Sequence, residues 1–244
     1  VVQLVRRDLV ARYKRSVLGV AWTMLNPLGT TLVMTIVFSQ VFGRTQSYPA
    51  YVLSGLLAWR MFSQSTVSAM RQLIWGGSLI HRIYVPKTAF VISAMGTGLV
   101  HLLFALVPLF AVMHVTGVHL SSTALFLPFS ILLLLAFALG VGLLVSTLAV
   151  YFADVAEMYE IVLMAWMYLT PIIYPEDIVI GKVGRWLIIL NPMYHLVRLF
   201  RQPLYVGAWP SPPEVALAAC VALAALGFGW LVFTKVADEF AYRI

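Results

Sequence analysis

Charge is what this sequence has least of. Only 10% of its 244 residues are Asp, Glu, Lys or Arg, against about a quarter in ordinary soluble domains. That excludes a water-soluble globular domain. A hydrophobic content of 62% and a mean hydropathy of +0.95 point instead to an all-α integral membrane protein. Cysteine is nearly missing: Cys220 stands alone, so neither a disulfide framework nor a thiolate metal site forms within one chain. Acids are absent from the interiors of the apolar stretches, where proton- or sodium-coupled carriers commonly place them. There is no GxxxxGK[ST] phosphate loop, so the chain is not expected to hydrolyse ATP by itself. HExxH, GxSxG and metal-spaced His/Asp clusters are missing too, and no metal site is expected. Energy for transport must come from elsewhere.

What is present begins with a basic segment, LVRRDLVARYKRSVLG (Leu4–Gly19), running straight into an uncharged stretch. On a helix, Val2, Val5, Leu9, Tyr13 and Val17 share one face, with Arg7, Lys14 and Arg15 opposite. The segment is either a passive flank obeying the positive-inside rule or an interfacial helix with a job of its own. No charge appears from Ser16 to Gly43, longer than the roughly 20 residues a spanning helix needs. That apolar stretch is too long, and too poor in a small-residue cleavage pattern, for a cleavable signal peptide.

Hydropathy and turn residues divide the rest. The first span is expected over Val20–Phe42 and the second over Ala50–Trp75, followed by a connector, Gly76–Lys87. From Thr88 to Ala153 no formal charge occurs for 66 residues, enough for two spans, broken at His114–Thr123 where Gly117 supplies a turn. A fifth span is expected over Glu157–Tyr174 and a sixth over Glu214–Thr234. Between them Pro171, Pro175, Pro192 and Pro203 interrupt Thr170–Tyr205. This reads as two short half-inserted helices turning at Asn191–Pro192, since irregular backbone at membrane depth survives only when buried or wetted. With both termini inside, ten Lys/Arg fall on the cytoplasmic side and five outside, as the positive-inside rule asks. The net charge of +7 therefore reflects membrane edges and implies no nucleic acid partner.

Four groups of residues invite a role. In the connector, Leu79, Ile80, Ile83 and Tyr84 are too apolar for a bare loop. They would either rest on the membrane or dock in a groove of a cytosolic partner, with His81, Arg82 and Lys87 at its rim. Asp154, Glu157 and Glu160 gather at one cytoplasmic corner, where Asp154 would cap the fifth helix or the acids would pair with the opening helix or a partner. Arg60 alone among the cations lies well inside a span, where it would meet an anionic headgroup, snorkel, or bind a carbonyl. His101 is a milder case, commonly a packing residue. The aromatics Phe38, Trp166, Tyr168 and Tyr174 belong either to the interfacial belt or to a surface on which sugars stack.

Five motifs in this order resemble the membrane subunit of polysaccharide-exporting ABC transporters, in the type-2 permease superfamily. They are RYKRSVLGVAWTMLNPL (Arg12–Leu28), YVLSGLLAWRMFSQS (Tyr51–Ser65), LIHRIYVPK (Leu79–Lys87), YFADVAEMYEIVLMAWMYLTPIIY (Tyr151–Tyr174) and LNPMYHLVRLFR (Leu190–Arg201). The resemblance covers essentially the whole chain and implies a single permease domain, 1–244. Within it, residues 1–19 would form an interfacial helix, 76–87 a coupling helix and 170–205 a re-entrant pair. It implies headgroup capture by Arg7, Arg12, Lys14 and Arg15, and ATPase coupling through Leu79–Tyr84, Lys87, Asp154 and Glu157. A channel lined by Trp22, Asn26, Phe38, Arg60, Trp166, Tyr168 and Tyr174 is implied as well. Two copies would pair with two cytosolic ATP-binding subunits holding ATP and magnesium. Their cargo would be a lipid-linked glycan of O-antigen, teichoic acid or capsule type, moved across the bacterial inner membrane. Where the family's second internal loop commonly reads Phe-Arg-Asp, Ala153 here precedes Asp154. The alternatives are an exporter of a lipid or small molecule and, from another class, a membrane-embedded glycolipid enzyme, which would need acids or a metal within the spans.

Overall fold

The helix that packs most deeply is not the most apolar one. In the computed structural model, which describes residues 1–13, 19, 21–42, 47–75, 86–176, 182–237 and 240, every regular element among the described residues is helical. The order is α1 (Val2–Tyr13), α2 (Ala21–Phe38), α3 (Tyr48–Trp75) and α4 (Thr88–Val115). A 3-10 turn (Ser122–Phe126) then leads into α5 (Leu127–Tyr151) and α6 (Val155–Leu169). The short α7 (Lys182–Ile189) and α8 (Pro192–Arg201), a π turn (Gln202–Val206) and α9 (Pro212–Val236) follow. Among the described residues, four helical segments are long and apolar enough to cross a membrane: Ala21–Phe38, Thr88–Val115, Ser122–Tyr151 and Pro212–Val236. The other two expected spans are α3, too polar for that test, and α6, whose 15 residues reach about 22 Å at ~1.5 Å per residue.

α3 packs against α4 and α5, and also touches α2, α6 and α8. From Ala50 to Phe62 nearly every side chain is buried. Several of its polar residues are buried against protein and find partners there, although the buried Ser65 hydroxyl has none among the described residues. Ser54 donates to the Tyr51 carbonyl (2.9 Å) and Thr66 to the Phe62 carbonyl (3.0 Å), while Tyr159 of α6 donates to the Thr66 hydroxyl (2.8 Å). A helix enclosed by other helices need not be apolar on every face, which is why composition ranks α3 low and packing ranks it first. α2 is the opposite case. Of its 18 residues only Pro27 and Thr31 are buried, and Leu32, Val33, Ile36 and Val37 are exposed. α6 buries Tyr159 and Leu163 but exposes Met158, Ile161, Val162 and Met164.

Local chemistry explains where helices stop. α4 closes on Gly117 at φ +76°, with the Val118 amide reaching the Met113 carbonyl (2.8 Å) and the Gly117 amide the His114 carbonyl (3.3 Å). This is a Schellman cap that only glycine adopts without strain. The fifth span ends sooner than its hydropathy suggests, at Leu169 rather than Tyr174, because Pro171 brings no N–H to a continuing helix. α9 starts on a capping box of Ser211 and Glu214, with Pro212 in the first turn. The turn expected at Asn191–Pro192 is there, with Asn191 at the N-cap of α8.

The tightest helix pair is α5 with α9. A Cβ on Gly140 would lie 2.4 Å from the Ala225 backbone, and one on Gly229 would lie 2.1 Å from the Gly140 carbonyl oxygen. Small residues let these backbones touch where lipid offers no hydrophobic drive to association. Gly229→Leu is expected to cost about 1–3 kcal/mol or more by overpacking, seen as a lower thermal midpoint of the full chain in detergent. Gly227→Leu, where an added Cβ meets nothing within 4 Å, should leave the midpoint near that of the parent.

Candidate functional site

Three polar places stand out in an otherwise apolar bundle. The first is a cavity of about 130 Å³ where α2, α3 and α4 meet, lined by Trp22, Thr23, Asn26, Arg60, Gln64 and His101 over an apolar floor. Arg60 sits near the middle of α3, and its Nη2 donates to Asn26 Oδ1 (3.0 Å) and to Thr30 Oγ1 (2.9 Å). The Thr30 hydroxyl in turn donates to the Asn26 carbonyl (3.0 Å). Two neutral acceptors on α2 thus hold a cation that sequence alone left among headgroup, solvent and carbonyl. Pro27, buried beside them, brings no N–H to the helix ladder, so α2 is weakened where it carries Asn26. Trp22 is 52% exposed and forms the rim.

The second place is the turn that follows α6. Beyond Leu169 the backbone runs irregularly from Thr170 to Tyr174, and its carbonyls need donors. Tyr48 donates to the Ile173 carbonyl (2.9 Å), and Tyr51 to those of Tyr174 (3.0 Å) and Pro171 (3.3 Å). Arg201 adds bonds to the Pro171 carbonyl (3.0 Å) and the Ile172 carbonyl (3.4 Å). Its guanidinium lies 3.7 Å from the centre of the Tyr51 ring, in space left by Gly55, whose added Cβ would fall 2.2 Å from Arg201 Nη2. Asn191 closes the turn from the other side. Its Oδ1 accepts from the Trp166 indole (2.7 Å) and the Met193 amide (3.0 Å), while its Nδ2 donates to Thr170 Oγ1 (2.9 Å) and the Leu169 carbonyl (3.3 Å). One side chain therefore caps the end of α6 and the start of α8. Farther out, Arg198 joins Glu214 (2.9 Å) and Glu176 (3.8 Å), and Tyr194 donates to Glu176 (2.9 Å).

The third place is the end of the bundle where α4 begins and α9 ends. Lys87 donates to the Ala237 carbonyl at the end of α9 and lies 5.5 Å from the Phe240 ring centre. Arg71 of α3 pairs with Glu160 of α6. On α1, Asp8 accepts from Arg7 (3.0 Å) and from the Gln72 amide (2.8 Å), and Ser93 of α4 donates to Gln72 Oε1 (3.0 Å). The opening helix is thus bonded to the bundle. Asp154 occupies the N-cap position of α6 but makes no side-chain cap bond, which corrects the expected capping role. Glu157 is exposed in the first turn.

The residues expected to act together fall into separate groups. Trp22, Asn26 and Arg60 share the cavity. Trp166 turns its ring edge against Phe62 (5.3 Å) and Trp59 (6.1 Å) in the core, and the Tyr174 hydroxyl bonds the carbonyl of exposed Tyr168 (2.9 Å). Phe38 stacks on Phe42 at 5.9 Å. Leu79, Ile80, His81, Arg82, Ile83, Tyr84, Lys14 and Arg15, with the side chain of Arg12, lie outside the described residues. Asp8, Gln72 and Arg201 were not singled out by sequence, and Asn191 was expected only as a turn residue. Arg201 counted only as an outer charge, yet it is 5% exposed; the signal that could have found it is Pro171, whose broken helix demands donors.

Residues 1–205 match the family model described as ABC-2 type transporter. The chain is 28% identical over 246 residues to the O-antigen export system permease protein RfbA of Myxococcus xanthus, covering 100% of this chain and 94% of that protein. It is 25% identical to the like-named protein of Klebsiella pneumoniae, covering 98% of this chain and 93% of that one. Against the polysialic acid transport protein KpsM of Escherichia coli the identity is 24%, with coverage of 89% and 86%.

Asn191→Ala strands two donors and two acceptors at the turn that follows α6. It is expected to lower the stability of the full chain in detergent by about 1–3 kcal/mol, read as a reduced thermal midpoint. Leu190→Ala next to it removes a side chain that is 74% exposed and should change the midpoint little.

Proposed function

The chain belongs to the ABC-2 type transporter family, and from that premise we propose that it forms the channel of a polysaccharide exporter. As a permease of that family it is a multi-pass membrane protein and the non-catalytic component, working with an ATP-binding partner subunit. The proposed cargo is a lipid-linked glycan of the O-antigen, teichoic acid or capsule kind. One observation carries this reading: alignment over nearly the full length of this chain and of permeases named for O-antigen and polysialic acid export.

In the proposed arrangement six helices span the bacterial inner membrane as one domain, residues 1–244, with both termini in the cytoplasm. α3 joins the four apolar spans because other helices shield its polar side chains, and α6 continues into the buried turn that ends it. The exposed apolar faces of α2 and α6 suit contact with lipid on one side and with a second copy of the chain on the other. α7 and α8 form the re-entrant pair at the outer end. Residues 76–87, with Asp154 and Glu157, meet the ATP-binding subunits, two per complex, where ATP and magnesium are held. Arg7, Arg12, Lys14 and Arg15 face the leaflet from which the glycan lipid arrives.

Coupling is tested by the double substitution His81→Glu and Arg82→Glu in the complex reconstituted with its ATPase. Glycan-stimulated ATP hydrolysis should fall at least severalfold while the complex still assembles. Unchanged coupling would remove residues 76–87 from that role. Neutralising Arg12, Lys14 and Arg15 together should impair export without preventing membrane insertion or dimer assembly. The molecule accumulating on depletion, a lipid-linked glycan or a simple lipid, separates this reading from the lipid or small-molecule exporter.

A further inference from the structure

Arg60 is a cation built into the bundle without an acid. At ~1.5 Å per residue it lies about 18 Å along α3 from Tyr48 and about 22 Å from Trp75, farther than an arginine side chain extends, so it cannot snorkel along its own helix to either end. Its guanidinium instead points sideways, to α2, where Asn26 and Thr30 fix it. Both of those bonds come from Nη2. Among the described residues Nη1 and Nε make no hydrogen bond, and no carboxylate lines the cavity or pairs with Arg60. An arginine carries five N–H donors and keeps its charge at any physiological pH. Charged residues at membrane depth mark ligand or ion pathways unless paired, and here the pairing supplied by the protein is neutral.

The cavity's size limits what completes it. About 130 Å³ is close to the roughly 150 Å³ that admits one benzene ring, and well below the ~300–1,000 Å³ of sites that enclose whole small molecules. A single tetrahedral oxyanion fits; a glycan does not. Donor side chains line it from two helices rather than one fork: the Arg60 guanidinium and the Gln64 amide on α3 and the Trp22 indole on α2. Donors placed on two walls suit the oxygens of a tetrahedral phosphate better than a planar carboxylate, which one guanidinium already satisfies edge-on. Trp22 and Asn26 at the rim are both exposed, so the cavity opens at the side of the bundle, beside the weakly packed α2.

We infer that the α2–α3–α4 cavity is a phosphate site, in which Arg60, oriented by Asn26 and Thr30, binds the phosphoryl oxygens of one phosphate group at membrane depth. A phosphate carried on a lipid reaches it from the bilayer with its chains outside the cavity; a free phosphate ion offers the same chemistry. The inference rests on the reading of this chain as a membrane-spanning permease, not on the identity of its cargo.

The experiment measures binding of three phosphorus-32 probes to the full chain in a phosphate-free detergent: phosphatidylglycerol, a polyprenyl diphosphate and inorganic phosphate. The parent should bind at least one probe. Arg60→Gln should weaken that binding about tenfold or more, and Arg60→Lys should retain a larger share, since an ammonium still pairs with phosphate. Asn26→Asp is the decisive variant, because it places a carboxylate against Arg60 in place of the neutral amide. It should keep or raise the thermal midpoint yet lose probe binding about tenfold, a combination that a purely structural role for Arg60 does not produce. The probe whose binding depends on Arg60 identifies the source, lipid or free ion. If the parent binds none of the three, or if Arg60→Gln and Asn26→Asp bind as the parent does, the site is not a phosphate site. That result would leave glycan export, read from the accumulating molecule, standing or falling separately.

Discussion

A helix that stops inside a bundle of other helices leaves carbonyls that need donors, and the region around the end of α6 is organised around that constraint. Pro171 ends α6 early, and the carbonyls of Leu169 and of Pro171 to Tyr174 are then met by side chains from elsewhere, that of Thr170 by the Ile172 amide. Tyr48 and Tyr51 come from the first turn of α3, Arg201 from the last turn of α8, and Asn191 from the break before it. Each unmet group would cost several kcal/mol in hydrocarbon, so these donors fix the two short helices against the long ones. The buried position of Arg201 follows: one planar guanidinium reaches two consecutive carbonyls while stacking on Tyr51, which a lysine's single ammonium does less well.

The same logic orders the bundle's interior. Hydropathy sorts helices by how well they tolerate lipid, whereas packing sorts them by how much protein surrounds them. α3 is the element on which the two measures disagree, and its Arg60, Thr66 and Gln72 are the means by which neighbouring helices recognise it. Ser93 and Asp8 meet at Gln72, Tyr159 meets Thr66, and Asn26 and Thr30 meet Arg60. By contrast α5 and α9 meet through glycine and alanine backbone, with no polar bond needed.

How much of this the sequence discloses depends on the range of the interaction. The four apolar spans are legible because long uncharged runs and the turn at Gly117 are local signals. The broken outer segment is legible because four prolines announce it, and the family because five motifs keep their order. The partners of Arg60 are not legible: Asn26 lies 34 residues away, and nothing in either helix alone says which faces will meet. Arg201 reads as a surface charge because its neighbours Arg198 and Gln202 are polar, while its burial is decided by carbonyls some 30 residues earlier. Asp8 is overlooked for a similar reason. A lone acid among arginines reads as charge balance, yet its structural partner is an amide on another helix.

The bond from Lys87 to the last turn of α9 has a mechanical meaning. Lys87 stands at the root of α4, directly after residues 76–85, and it also holds the Ala237 carbonyl and lies over Phe240. A displacement of Lys87 is therefore delivered to two helices at once, like a load on a yoke. α4 leads to the wall of the Arg60 cavity, and α9 leads through its glycine contacts into α5. The end of α9 is thus a second arm of the lever.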